Sequence, residues 1–85
     1  MKQIDILRKR LYYQSHHRGL KEMDLVLGAF AQQYLETMSE GELIHFEDLL
    51  AFPDQNLYGW FFEGAPLPQD APKVLVEMIN DHIRA

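Results

Sequence analysis

The sequence predicts an all-α fold, a compact five-helix bundle in a single domain spanning residues 1–85. Three observations lead there. Apolar residues recur at steps of three and four, with no convincing period-2 alternation. Capping and breaking signals divide the chain into five segments, none of which can bury its apolar stripe alone. Cysteine is absent, so packing between the segments must hold the fold without disulfides.

The first helix is expected from about Gln3 to His17. Ile4, Leu7 and Leu11 form its stripe, with Arg8, Lys9 and Arg10 to the sides. Gly19 offers a left-handed stop, and Arg18 sets a cation against the last turn. The second helix runs from about Leu20 to Thr37 on the stripe Leu20, Met23, Leu27, Phe30 and Tyr34. Gly28 inside it costs about 1 kcal/mol relative to alanine and leaves room for a neighbouring helix. The third opens on Ser39-Glu40-Gly41-Glu42, a capping box. Leu43, Phe46, Leu49 and Leu50 make its buried face, and Phe52-Pro53 ends it.

The fourth helix is short, from about Asp54 as N-cap to Glu63, with Gly64 as C-cap. Pro66 and Pro68 stiffen the connector from Ala65 to Gln69. Asp70 is the candidate N-cap of the fifth helix, with Pro72 in its first turn. Its stripe is Leu75, Met78, Ile79 and Ile83.

The net charge is −5, unevenly spread. Residues 1–22 hold six Lys/Arg against two acids, and residues 23–85 hold two against eleven. The pattern reads as a basic patch on an acidic body, or as two solvated faces of different sign. DNA is disfavoured as a partner, because the acidic remainder opposes phosphate. No apolar run approaches the ~20 residues of a membrane span, and the start lacks a signal-peptide core. These features suggest a soluble, reducing setting: the bacterial cytoplasm in preference to the mitochondrial matrix.

The residues for an active site are sparse, and no catalytic residue is assigned. His16 and His17 point about 100° apart on a helix and make a poor metal pair. Glu42-x-x-His45 is half of a di-iron pattern with no second half. No metal site and no nucleotide fingerprint are assigned. His45 reads as a partly exposed helix residue and His82 as a C-terminal cation or cap. Ser39 is absorbed by capping, and the third helix is too acidic to read a major groove.

Two places depart from this plain pattern. Arg18-Gly19-Leu20-Lys21-Glu22 is explicable as a helix–helix junction. It also leaves a side-chain-free notch flanked by a cation and a carboxylate, which suits docking of another backbone. Trp60-Phe61-Phe62 sweeps about 200° around a helix, more than one core face can take. Either one ring stays half exposed, or it anchors an interface; Tyr12-Tyr13 poses the same choice.

In sequence the chain resembles the succinate dehydrogenase assembly factor family, the SdhE-like proteins. The match rests on Arg18-Gly19-x-x-Glu22, preceded by Arg10-Leu11-Tyr12-Tyr13-Gln14-Ser15 and followed by Asp24 and Leu25 to Phe30. Met38-Ser39-Glu40-Gly41-Glu42 and a segment near Asp54, Leu57 and Trp60 extend it over most of the chain. The resemblance implies a five-helix, non-enzymatic factor, monomeric when free. It would bind the flavoprotein subunit of succinate dehydrogenase or fumarate reductase and promote covalent FAD attachment there. Arg18, Gly19 and Glu22 would dock, with Arg10 and Asp24 in support. The FAD would belong to the partner, with none held tightly by this chain and no insertion into membrane. Part of the family carries an antitoxin label, so an antitoxin-type regulator is the alternative.

Overall fold

The computed structural model describes residues 2–84. Five α-helices run through them: α1 (Gln3–His16), α2 (Lys21–Tyr34), α3 (Glu40–Leu50), α4 (Asp54–Phe62) and α5 (Lys73–Arg84). A short 3-10 turn, Leu35–Thr37, extends α2. All five close on one core, and the described residues form no strand. The fully buried side chains include Leu11 from α1, Leu27 and Phe30 from α2, Leu43 and Phe46 from α3, Leu57 from α4 and Ile79 from α5. The phenyl rings of Phe30 and Phe46 lie 5.7 Å apart and tie α2 to α3.

The apolar stripes agree with the sequence, because burial follows the helical period. The boundaries differ where proline or glycine geometry decides. The α1 helix ends at His16, with His17 as its C-cap. Gly19 does adopt the left-handed conformation, φ +90°, but one residue beyond the C′ position expected of it, because α1 is capped at His17. Leu20 caps α2 through its backbone, accepting from the Asp24 N–H at 3.0 Å. Pro53, extended at φ −61° and ψ 150°, occupies the N-cap of α4 in place of Asp54. At α5 the Pro72 carbonyl accepts from the Val76 N–H at 3.1 Å, so Asp70 lies outside the helix. The ring of Pro72 keeps Ala71 out of the helical region, which delays the start.

The capping box forms as expected. The Glu42 N–H donates to Ser39 Oγ at 3.2 Å, and the Ser39 N–H donates to Glu42 Oε1 at 2.9 Å. These hydrogen bonds, the one from the Ser39 backbone foremost, hold the Glu42 carboxyl below its ordinary value of 4.5. A lowered folded-state pKa stabilises above the unfolded value, and the benefit is lost as pH falls through the folded one. Glu42→Gln is therefore expected to lower the melting temperature at neutral pH and to converge with wild type in acid. Circular dichroism melts between about pH 7 and pH 3 check this.

Gly28 is the close-approach point of α1 on α2. A Cβ there would lie 2.9 Å from the His16 ring, whose Nδ1 is 2.8 Å from the Tyr12 carbonyl oxygen. Gly28→Ala is expected to cost about 1–3 kcal/mol, offset in part by alanine's helix propensity. Adding His16→Ala should recover most of the loss in a thermal-denaturation double-mutant cycle. Additive losses would count against this contact.

Candidate protein-docking site

The junction between α1 and α2 is fixed by two interactions that the sequence does not display as neighbours. The Arg18 N–H donates to Asp24 Oδ1 at 2.6 Å, so a carboxylate in the first turn of α2 pins the backbone of the link. The Arg18 side chain turns inward. Its Nε donates to Asp54 Oδ1 at 2.8 Å, one terminal nitrogen to the Leu50 carbonyl and the other to the Phe52 carbonyl at 2.8 Å. The guanidinium thus sits at the C-terminal end of α3, where carbonyls lack helical partners, and pairs with the first residue of α4.

This corrects two expectations about Arg18. Its cation serves α3 rather than the last turn of α1. All three guanidinium nitrogens are committed within the chain, and its side chain is only 12% exposed, so it offers no open fork to a partner's carboxylate. The reason is reach: the link carries Arg18 past the end of α1 to carbonyls 32 and 34 residues away in sequence.

Gly19 and Glu22 face outward. A Cβ on Gly19 would meet nothing within 4 Å, so the backbone lies bare to solvent. Its φ of +90° is a conformation that only glycine adopts without strain. Glu22 is exposed and makes no hydrogen bond or ion pair among the described residues. Arg10 is paired with Glu47 of α3 on the surface and shares an open groove of about 600 Å³ with Arg18, Tyr13 and His17. Asp24 supports the corner by the bond already described. Of the five residues the sequence singles out, Gly19 and Glu22 present themselves, Arg18 and Asp24 hold the frame, and Arg10 lies exposed on the neighbouring surface.

The basic patch largely dissolves. Arg8 pairs with Asp5 at 3.2 Å and also donates to the Leu35 and Met38 carbonyls. With Arg10 on Glu47 and Arg18 on Asp54, half of the six N-terminal cations are neutralised within the chain. The aromatic question divides as well. Trp60 and Phe61 are buried, Trp60 edge-on against Phe52, while Phe62, Tyr12 and Tyr13 are exposed. Tyr13 stacks on His17 with centroids 4.1 Å apart. His82 lies in the last turn of α5, as expected, and its ring packs edge-on against Phe30 and Tyr34 at the core margin.

Two residues that sequence reasoning passed over also border the corner. Tyr58 and Glu63 of the α4 region line, with Gly19 and Leu20, an open hollow of about 560 Å³. No local pattern in the sequence announces this juxtaposition, since it depends on how α4 packs beside the link.

A family model described as the flavinator of succinate dehydrogenase matches residues 9–83. The chain belongs to this family. Relatives in this flavinator family include a mitochondrial succinate dehydrogenase assembly factor 2 from Dictyostelium discoideum, 33% identical over 82 residues, covering 96% of this chain and 58% of that protein. The corresponding Komagataella phaffii protein is 46% identical over 68 residues, covering 76% of this chain and 36% of its own length. A FAD assembly factor SdhE from Acetobacter pasteurianus is 37% identical over 75 residues, covering 87% and 69%. The chain therefore spans roughly one- to two-thirds of the lengths of these relatives.

These findings correct the expected bacterial cytoplasmic setting, since relatives in Dictyostelium, Komagataella and Danio rerio are mitochondrial factors. Composition could not separate the compartments, because lack of cysteine suits any reducing space. No described helix is long and apolar enough to cross a membrane. The relatives' names support assembly and give the antitoxin alternative nothing.

Proposed function

We propose that this flavinator-family chain binds the flavoprotein subunit of succinate dehydrogenase and promotes covalent attachment of FAD to it, without chemistry of its own. The flavoprotein of fumarate reductase is a second candidate client. The observation that carries the docking mode is Gly19: a left-handed residue with open space where a side chain would stand, beside an exposed Glu22. A bare backbone corner admits close approach of another chain, and the carboxylate accepts from its donors. Arg18 and Asp24 hold that corner in shape, acting as positioning residues.

The mechanism that follows is a shift of population. Docking favours the flavoprotein conformation in which the flavin and its acceptor side chain are close and aligned. Bond formation then proceeds inside the partner by proximity. The FAD is the partner's, and this chain supplies no ligand to it. Co-purification tests the reading. The chain, free in solution, is expected to retain the flavoprotein subunit and not an unrelated flavoenzyme of similar charge. Equal retention of both, or of neither, would remove it.

A further inference from the structure

We infer that the hollow between Gly19 and α4 receives a lysine- or arginine-bearing segment of the partner flavoprotein, with Glu63 as its counter-charge and Tyr58 as its wall. The inference rests on the function proposed above and names the chemistry of the surface that this chain meets. Three charged side chains line the hollow. Arg18 and Asp54 line the hollow but cancel each other at 2.8 Å. Glu63 lines the hollow, is exposed and makes no hydrogen bond or ion pair among the described residues. Beyond the lining, Glu22 and its neighbour Lys21 are both exposed and opposite in charge.

The uncompensated charge inside the hollow is therefore negative. This is the reverse of the sign that the cation-rich N-terminal segment suggests, because Arg18 is spent on α3 and α4. The walls suit a long cationic side chain. Tyr58 stands in ring contact with exposed Phe62, centroids 4.9 Å apart, and such faces pack alkyl stems and attract cations. Gly19 opposite them adds no side chain to obstruct the partner's backbone.

The test is calorimetric titration of this chain into the flavoprotein subunit. Glu63→Lys is expected to weaken binding about tenfold at low salt, with the deficit shrinking as salt screens the pair. Glu63→Gln is expected to weaken it about threefold. Glu36→Lys makes the same charge change just beyond the opposite end of α2, roughly 20 Å away, and is expected to leave affinity unchanged. If wild type binds and the two lysine variants behave alike, the inference is overturned while the proposed function stands. If wild type binds no flavoprotein, both are overturned.

Discussion

Arg18→Ala is expected to destabilise the chain by about 2–4 kcal/mol, the largest loss from any single polar side chain here. The change strands the Leu50 and Phe52 carbonyls at the end of α3 and leaves Asp54 without its cation. Removing one member of a buried, hydrogen-bonded pair costs about 3–5 kcal/mol. The range is set lower because Asp54, with its side chain 23% exposed, can recover some hydration. In a domain of this size each kcal/mol moves the midpoint by roughly 4–8 °C. Thermal melting should therefore fall by more than about 8 °C. Arg18→Lys should land between, since an ammonium keeps the charge but cannot reach three acceptors in a plane. A melt within about 2 °C of wild type would show that the guanidinium is not the link between α3 and α4.

This has a consequence for function. Loss of flavin attachment in an Arg18 variant reports on the frame first and on docking only through it. The clean variant is Glu22→Arg, with the second large expected effect: loss of at least about nine-tenths of the promotion of flavin attachment. Glu22 is exposed and unpaired among the described residues. Its replacement should change stability by no more than about 0.5 kcal/mol. Reversing a charge at a docking edge sets like against like, which costs several kcal/mol in a desolvated contact. Glu22→Gln should lose less, because the amide oxygen still accepts a hydrogen bond. Melting curves and flavin yield measured on one preparation separate docking from folding.

The sequence was most informative where the physics is local. The Ser39–Glu42 capping box, the apolar stripes of the first, second, third and fifth helices and the left-handed Gly19 each depend on residues within four positions, and all are present. Gly28 was legible as a notch, but its occupant, His16, lies twelve residues back on another helix. Arg18 was the instructive case. Its neighbours in sequence suggest an exposed cation, while its partners lie 32 to 36 residues away and turn it into the clasp of the α3–α4 junction. Arg10 met Glu47 across a similar gap, so the charge asymmetry along the chain did not survive as a patch in space. Trp60 and Phe61 were both buried because Phe52 and the connector after α4 cover a second side of that helix.

Flavin fluorescence in denaturing gels tests the central proposition most directly. The succinate dehydrogenase flavoprotein is incubated with FAD alone, with this chain, or with a folded Glu22→Arg variant. Covalent flavin should rise with the wild-type chain and stay near the chain-free level with the variant. An equal signal in all three lanes would contradict the proposed role, and equal stimulation by both chains would move the docking site away from the Gly19–Glu22 corner.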